Sequence, residues 1–400
     1  MIPSKPQFVG KKIRLEELLQ DTFAGEWGTE TGENLTPVLR TSNFREDGSF
    51  NYDAPAMRCI PEKKVAKKRM LRGDIILEKS GGTPKRPVGI MAFYDSDDLA
   101  LCSNFNQVLR FDESKIQPRF AFYQLRWLKE HNAFERYTRK TTGLQNLQIK
   151  KFIEHDIWVP TEEVQSRIVA LLDAISNNQT QLNQQIHRFD SLVKSRFVEM
   201  FGDPFDNEKK WPEYTLGSLL KIARGGSPRP IKKYITDDSE GINWIKIGDA
   251  VSGSRYIFGT SEKIKPSGVK KSRLVHSGDF LLSNSMSFGK PYILKTDGCI
   301  HDGWLVLQGV EQHFDSLFLY QLLASEGLLR KFSSLVRGGV VSNLNKDLVG
   351  SVSVMVPPIT LQRKFADFVC QVDKSRFVAQ QQIEKLQLLY DSLAQEYFGD

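Results

Sequence analysis

The clearest pattern of apolar positions lies between Pro160 and Gly202, where the chain contains neither glycine nor proline. Apolar residues recur there in alternating steps of four and three, with Gln179 and Arg196 at the two positions that would otherwise interrupt the series. This heptad spacing continues for more than four heptads and predicts a long helix with the narrow apolar seam of a coiled coil. The predicted seam residues are Ile168, Leu172, Ile175, Leu182 and Ile186.

The same pattern returns in the last part of the sequence, because residues 146–203 align without a gap to residues 343–400. The offset is 197 residues throughout, and fourteen of the 58 aligned positions are identical. The identities include a proline before the helix and Phe-Gly-Asp after it. The second helix therefore has an equivalent seam, for which the predicted residues are Phe365, Val369, Val372, Ile383 and Leu386.

The repeat continues upstream of the helices, where the two copies have diverged. Residues 72–77 resemble residues 277–282, and residues 38–43 resemble residues 244–249, with small gaps between the matched segments. Short β-rich runs alternate there with glycine-containing loops, and each copy has a later helical segment, over 119–137 or 315–332. The predicted fold class is α+β, with two mixed α/β domains in tandem, each followed by a long helix.

The narrow seam favours packing of the two helices on each other. Because each helix follows its own domain, an antiparallel coiled-coil pair would separate the domains as a spacer and give the repeat pseudo-twofold symmetry. The alternative is that each helix packs separately on its own domain. The predicted domains are 1–160 and 204–357, and the predicted spacer helices are 161–203 and 358–400.

Composition is that of a globular protein with more than one domain. The 400 residues are 40% apolar and 26% charged, which excludes a wholly disordered chain. No apolar run approaches the ~20 residues that span a bilayer, and the first residues lack the apolar core of a signal peptide. The four cysteines are far apart and form no Cys-x-x-Cys pair, so we expect free thiols in a reducing cytosol.

The charge of the chain is concentrated outside the predicted helices. Net charge is +7, but the segments 161–203 and 358–400 carry −2 and −1, so the rest of the chain carries +10. Such an excess indicates an acidic partner, most often nucleic acid. A dense basic run precedes the Gly-Asp strand in both copies, over residues 63–72 and 263–273. The alternative for each run is an ordinary solvated surface.

Further basic residues lie in loops that contain glycine, such as Gly81–Arg86 and Gly225–Pro230. Glycine permits close approach of the backbone to a duplex, and arginine, serine and threonine can bind bases or phosphates. The residues predicted to contact DNA are Arg40, Lys67, Lys68, Arg69, Lys85, Arg86, Arg139, Lys140, Thr142, Ser227, Arg229, Lys232, Lys233, Lys246, Lys270, Lys271, Arg273, Ser283, Asn284 and Arg337.

Motifs for catalysis are not found in the sequence. It has no Gly-x-x-x-x-Gly-Lys-Ser/Thr phosphate loop and no glycine-rich turn of the kind that binds S-adenosylmethionine. Residues 356–359 read Val-Pro-Pro-Ile and lack both the Asn or Asp and the aromatic residue of amino-methyltransferases. The six histidines are scattered without the spacing of metal ligands. We therefore predict no catalytic residues and no metal site.

The arrangement resembles the specificity subunit of type I restriction–modification systems, over the whole chain. The most specific segments are Asn146…Val159-Pro160…Gln165 and its repeat Leu344…Val356-Pro357…Gln362, which look like the junction from target-recognition domain to spacer helix. Gly225-Gly226-Ser227-Pro228 looks like the opening of such a domain. The first copy lacks the Ser-Pro, and Asn43 stands where the second has Asp249.

This resemblance implies a non-catalytic subunit in which each target-recognition domain reads one half of a split, asymmetric DNA sequence. It implies that two modification subunits, which methylate adenine, dock on the chain and recruit restriction subunits. S-adenosylmethionine, ATP and Mg²⁺ would be bound by those partners, with no cofactor on this chain. The implied location is the bacterial or archaeal cytoplasm, at the nucleoid.

Two other functional classes stay open at this point. One is a nuclease or methyltransferase with an unrecognised site, which would cleave or methylate DNA without partners. The other is a coiled-coil scaffold that binds no DNA, which would show no salt-dependent affinity for a duplex.

Overall fold

The computed structural model describes residues 10–84, 86–140, 144–251, 253–284, 289–337 and 344–399, except for the side chains of 335–337. Among these residues, no helix combines the length and the apolar character that crossing a membrane requires. The chain forms two compact units. The first contains the residues up to Asn183 together with those from Gln381, and the second contains Gln184–Gln380.

The domain before the first long helix contains four short α-helices and twelve strands in its described part. They are β1 (Gly10–Arg14), α1 (Leu15–Leu18), β2 (Leu19–Ala24), β3 (Leu35–Leu39), β4 (Ala56–Cys59), α2 (Glu62–Lys68), β5 (Ile75–Glu78), β6 (Ser80–Gly82), β7 (Met91–Phe93), β8 (Leu101–Cys102), β9 (Asn106–Phe111), α3 (Pro118–Glu130), β10 (Thr138–Lys140), β11 (Gln145–Leu147), α4 (Ile149–Phe152) and β12 (Asp156–Pro160).

The first long helix, α5, spans Glu162–Phe201 and leads into the second domain. That domain contains β13 (Glu213–Thr215), α6 (Leu216–Leu219), β14 (Lys221–Arg224), β15 (Ile235–Thr236), β16 (Ile242–Ile245), β17 (Tyr256–Ile257), β18 (Lys263–Ile264), β19 (Arg273–Val275), β20 (Phe280–Ser283), β21 (Pro291–Leu294), β22 (Gly298–Ile300), β23 (Trp304–Gln308), α7 (Ser316–Leu323), α8 (Glu326–Arg337), α9 (Lys346–Ser351) and β24 (Ser353–Met355). The second long helix, α10, spans Ile359–Phe398.

The two domains have the same arrangement of strands around their centre. Strands β2-β9-β5-β7 form an antiparallel sheet in the first domain, and β14-β23-β20-β21 form its counterpart in the second. Pairs β1-β12 and β13-β24 join the beginning of each domain to the strand that leads into its helix. The structure thus confirms the α+β class and the tandem repeat.

In each domain, the strand that follows the Gly-Asp pair, β5 or β20, is buried on both faces. In β5, Ile75 and Leu77 belong to the core that includes the long helices, whereas Ile76 belongs to a second core on the other side of the sheet. In β20, Phe280 and Leu282 alternate with Leu281 in the same way. Because successive side chains of a strand point to opposite faces, one apolar run contributes to a core on each side of the sheet.

The repeated Pro…Gln motif joins each domain to its helix. Gln165 is buried, and its Nε2 donates to the carbonyl of Pro160 (2.9 Å) while its Oε1 accepts from the backbone N–H of Gln117 (2.8 Å). Gln362 makes the same pair of bonds, to the carbonyl of Pro357 (2.8 Å) and from the N–H of Asp315 (2.9 Å). A buried amide with both ends satisfied fixes the helix start against the strand before it and the domain helix beside it.

The two long helices pack on each other in antiparallel fashion within each unit. In the first unit, Ile168, Leu172 and Ile175 of α5 share a hydrophobic core with Tyr390 and Phe398 of α10. The second unit repeats this arrangement with the other ends of the helices, where Val193, Phe197 and Phe201 of α5 share a core with Phe365, Val369 and Val372 of α10. The prediction of a paired coiled-coil spacer is confirmed. The helix ends are also part of the domain cores, so pairing and packing on the domain occur together.

Polar pairs occupy the interruptions of the seam. Gln179 Nε2 donates to Gln387 Oε1 (3.1 Å) in the first unit, and the Arg376 guanidinium pairs with Asp190 in the second. The repeat offset of 197 relates Gln179 to Arg376 and Asp190 to Gln387, so these are the same two positions of the repeat. Beside them Leu182, Ile186, Ile383 and Leu386 are half-buried, whereas the seam residues near the domains are buried.

We predict that Leu172→Ala destabilises the protein, whereas Leu171→Ala has little effect. Leu172 is fully buried in the core shared by domain and helices, and its neighbour Leu171 is 41% exposed. Truncating a buried leucine costs about 2–5 kcal/mol, and truncating an exposed one changes stability by less than about 0.5 kcal/mol. Denaturant unfolding of the purified chain measures both. Equal stability of the two variants would contradict the packing described here.

Candidate nucleic-acid interface

Two segments of the second domain meet at one turn, His301–Gly303, between β22 and β23. The N–H of Gly225 donates to Trp304 O (2.9 Å), and the N–H of Gly226 donates to Ile300 O (3.1 Å). The N–H of Asn284, at the end of β20, donates to Gly303 O (3.0 Å). The turn therefore joins the Gly225–Pro230 loop to the loop that follows the Gly-Asp strand. We call it the central turn of the domain.

The first domain has the same frame around residues Ser103–Phe105, its own central turn. The N–H groups of Gly25, Glu26 and Lys79 donate to the carbonyls of Asn106 (3.1 Å), Cys102 (2.9 Å) and Phe105 (2.9 Å). These bonds correspond one by one to those of the second domain. By this correspondence, Asn104 is equivalent to Asp302, and Phe105 is equivalent to Gly303.

Glycine is required where the loop meets the central turn. A Cβ on Gly25 would lie 2.2 Å from the carbonyl oxygen of Cys102, and a Cβ on Gly225 would lie 2.1 Å from that of His301. No side chain fits at such distances, so both repeats keep glycine at this position. The loop is thereby held directly against the turn in each domain.

The basic runs lie beside the loops that meet the central turns, which begin at Gly25 in the first domain and at Gly225 in the second. In the first domain, Lys68 Nζ donates to Gly25 O (3.3 Å) and pairs with Glu26 (3.0 Å). The hydrogen bond from Lys68 lowers the pKa of the Glu26 carboxyl. In the second domain, Gly226 lies against the backbone of Lys271, and Arg273 Nε donates to Arg224 O (3.3 Å). Basic run, glycine loop and central turn therefore form one surface in each domain.

Asp302 is the centre of a polar cluster in the second domain. Its Oδ1 accepts from Ser227 Oγ (2.9 Å) and lies 3.0 Å from His301 Nε2. Its backbone carbonyl accepts from Arg224 Nε (3.1 Å) and Asn284 Nδ2 (2.9 Å). Burial alone would raise the pKa of Asp302, but hydrogen bonding, above all from the Ser227 hydroxyl, lowers it overall. The carboxylate is therefore ionised at neutral pH.

The equivalent surface of the first domain has different side chains. Asn104 and Phe105 are both exposed, with Phe105 53% accessible to solvent. Trp27 occupies the position that Ser227 has in the second domain, and Arg58 stacks over its ring with the guanidinium carbon 3.9 Å from the centroid. One frame thus carries an amide and aromatic rings in one domain and a carboxylate, a hydroxyl and an imidazole in the other.

The predicted contact residues differ in their exposure to solvent. Exposed side chains are those of Arg40, Lys67, Arg69, Arg86, Arg139, Lys140, Arg229, Lys232, Lys233, Lys270, Lys271 and Arg273. Lys68, Ser227 and Lys246 are half-buried, and Ser283 and Asn284 are buried. Lys85, Thr142 and the side chain of Arg337 lie outside the described residues.

Several predicted residues already have partners within the protein. Arg86 pairs with the buried carboxylate of Glu78 (2.6 Å), whose pKa burial raises, and Lys246 pairs with Glu262 (2.6 Å). Lys271 Nζ donates to Tyr234 Oη (2.8 Å). Asn284 positions the central turn from inside the domain. Within the described ranges, Lys67, Arg69 and Lys270 are exposed and form no ion pair with a carboxylate.

Sequence reasoning missed both central turns. Ser103-Asn104-Phe105 and His301-Asp302-Gly303 share no residue, and neither contains a basic run. Their common position follows only from strand pairing, for example from the N–H groups of Ser103 and His301 donating to the carbonyls of Leu39 and Ile245. The one sequence signal available was their place directly before the strand that pairs with the Gly-Asp strand.

Comparison with known proteins agrees with this architecture. The family model described as "Type I restriction modification DNA specificity domain" matches residues 34–188 and 208–388. These two matches cover most of the chain, one in each repeat. The chain belongs to this family. Members are specificity subunits of type I restriction–modification systems, which are non-catalytic, and this confirms the predicted family and the prediction that the chain is not an enzyme.

Relatives match this chain over three quarters or more of its length at low identity. The "Putative type I restriction enzyme MjaX specificity subunit" of Methanocaldococcus jannaschii is 23% identical over 332 residues, covering 78% of this chain and 75% of its own. The crystal structure of the type I system S subunit from M. genitalium has a TM-score of 0.57 at 17% identity, over 98% of this chain and 97% of that one. A chain solved in a study of the assembly and conformational transition of a type I system has a TM-score of 0.59 at 18% identity, over 99% and 98%.

We predict that neutralising Lys67 and Arg69 together weakens binding of the specificity subunit to every duplex. Each lost phosphate contact lowers the slope of log affinity against log salt by about 0.9. The slope should therefore fall by up to about 2, with no change in preferred sequence, in titrations at several salt concentrations. The matched control is Lys150→Ala with Lys151→Ala, an exposed pair that removes the same charge from α4. An equal fall in the control would indicate net charge rather than this surface.

Proposed function

We propose that the two target-recognition domains each read one half of a split, asymmetric duplex DNA sequence. The observation that carries this proposal is the equivalence of the two central turns. The same hydrogen-bonded frame presents Asn104, Phe105 and Trp27 in one domain and Asp302, His301 and Ser227 in the other. Different donors, acceptors and apolar groups at equivalent positions select different base edges. Two domains built in this way read two unlike half-sites.

Cationic side chains beside each turn supply the part of affinity that does not depend on sequence. Phosphate contacts from lysine and arginine position a protein on DNA, and base contacts then specify the site. The exposed basic residues near the glycine loops are suited to the first role. The side chains of the central turns, which include few cations, are suited to the second.

The paired helices are proposed to set the number of base pairs between the two half-sites. Each helix has 40 residues and is about 60 Å long at ~1.5 Å per residue. Each domain packs on the start of its own helix and on the end of the other, as the two hydrophobic cores show. Attachment to both helices restricts how each domain can move on its own helix ends.

A second surface, on the helices, is suited to two copies of one partner. Gln185, Leu192 and Glu199 are seven residues apart and exposed, so they lie along one face of α5. Identical residues recur at Gln382, Leu389 and Glu396 of α10, and both leucines are 48% exposed. These exposed positions are identical in the two helices, although the domains have diverged. Such a repeated surface favours docking of two identical modification subunits, one on each helix. Those subunits would bind S-adenosylmethionine and join the restriction subunits, which use ATP and Mg²⁺.

The experiment that tests this function is determination of the methylated motif. The chain is expressed with its modification subunits in cells that lack other adenine methylation, and modified adenines are located by sequencing. We expect two defined half-sites of different sequence, separated by a fixed number of unspecified base pairs. A motif of one continuous block, or an inverted repeat of a single half-site, would contradict the proposal.

We predict that Leu192→Asp together with Leu389→Asp prevents docking of both modification subunits. A charge placed at the centre of each apolar contact opposes its desolvation. Either single variant should keep one subunit, which the mass of the purified complex reports. The control is Leu388→Asp, at a leucine that is 70% exposed but whose repeat counterpart is Ser191. Full assembly of the double variant would place the docking surface elsewhere.

A further inference from the structure

Asp302 is an unusual residue to find at the centre of a surface that is otherwise rich in donors and cations. Phosphates repel a carboxylate, so its presence weakens general affinity for DNA unless it meets a donor there. The Ser227 hydroxyl donates to its carboxylate, and Arg224 and Asn284 donate to its backbone carbonyl. Both the side chain and the backbone of Asp302 are therefore held in place within the surface.

The contacts of Asp302 hold one carboxylate oxygen and leave the other open. Oδ1 accepts from Ser227 and faces His301 Nε2, and two side chains bind the backbone carbonyl. Within the described part of the chain, Oδ2 accepts no hydrogen bond. Its nearest cation is Arg229 Nη2 at 3.7 Å, beyond hydrogen-bond distance. The side chain is 30% exposed, so Oδ2 can be reached from outside.

His301 is fixed at both ring nitrogens and completes this arrangement. Its Nδ1 accepts from the N–H of Gly303 (3.0 Å), and its Nε2 lies 3.0 Å from Asp302 Oδ1. The hydrogen bond from Gly303 holds the ring beside the Asp302 carboxylate. The imidazole thus orients the carboxylate without taking up Oδ2. Beside it lies an open cavity of about 630 Å³, lined by the Ser227–Ile231 loop with Trp244 and His301.

We propose that Asp302 Oδ2 reads a base of the second half-site by accepting a hydrogen bond from an exocyclic amino group in the major groove. Cytosine N4 and adenine N6 are the groups that offer such a donor there, and an ionised carboxylate can only accept. Asp302 then contacts the base, whereas Ser227 and His301 are positioning residues. This inference rests on the proposed function and adds the residue and the chemical group that it recognises.

The first domain offers an internal comparison at the equivalent residue. Asn104 is exposed in its central turn, and an amide both donates and accepts. The two domains therefore differ at this position in hydrogen-bonding character but not in backbone frame. A reciprocal pair of nearly isosteric substitutions, Asp302→Asn and Asn104→Asp, exchanges that character without changing size.

The test compares methylated motifs of the full complex containing the parent chain, Asp302→Asn or Asn104→Asp. In the parent, one position of the second half-site should require cytosine or adenine. With Asp302→Asn that requirement should weaken by roughly tenfold or pass to another base, which is the scale of one side chain–base contact. The first half-site should stay unchanged. Asn104→Asp should alter the first half-site alone.

Other results would overturn the proposal and separate it from a structural role. If the motif of Asp302→Asn matches that of the parent, Asp302 reads no base. If every position weakens equally, Asp302 only supports the turn, and Ser227→Ala should then have the same uniform effect. Thermal unfolding and affinity for unrelated duplex DNA identify a variant that has lost its fold. A parent complex without a two-part motif would refute the proposed function itself, which is a different outcome.

Discussion

Each target-recognition domain shares its hydrophobic core with both long helices, and the rest of the architecture depends on this sharing. In the first unit, residues of the central sheet and of α3 pack with the start of α5 and the end of α10. In the second unit, the start of α10 and the end of α5 play the corresponding parts. Antiparallel pairing places both helix ends within reach of one domain. A domain is therefore fixed by two attachments, and the buried Gln165 and Gln362 lock the connection of each helix to its preceding strand.

The surfaces that we assign to DNA also depend on a few buried contacts. Backbone hydrogen bonds and one obligatory glycine hold the central turn in each domain, so the frame does not depend on the exposed side chains. Those side chains can then differ freely, as Asn104 and Asp302 do. A surface of this construction can change its preferred bases while the domain keeps its fold. Asn43 and Asp249, at equivalent positions, have a structural role instead. The side-chain oxygen of each accepts a hydrogen bond from the backbone N–H three residues earlier, at 2.9 and 2.7 Å. The bond is therefore kept although the residue differs.

Sequence was sufficient for features set by local periodicity and by the repeat. The heptads from Ile168 onward predicted long helices, and the constant offset predicted two similar units. The helical segments inside the domains were less exact. The segment at 119–137 is a helix that ends at Glu130, because Asn132 adopts a left-handed conformation with φ +61°. The segment at 315–332 is two helices, and the Ser325 hydroxyl accepts from the N–H of Leu328 at the start of the second.

The central turns could not be found in this way, because pairing between distant strands creates them. Gly225 meets Trp304 and Asn284 meets Gly303 only after the sheets have formed. Composition drew attention to lysine and arginine, which suit phosphates, and away from Asp302, which suits a base. The spacing of the histidines likewise gives no signal for His301, which lies beside that carboxylate in the structure.

The central claim is that two domains read DNA independently while the helix pair only holds them. The most direct measurement replaces residues 1–160 by the corresponding domain of another family member, keeps both helices, and determines the methylated motif of the assembled complex. We expect one half-site to change, while the other half-site and the gap between them stay the same. A change in both half-sites, or in neither, would contradict it.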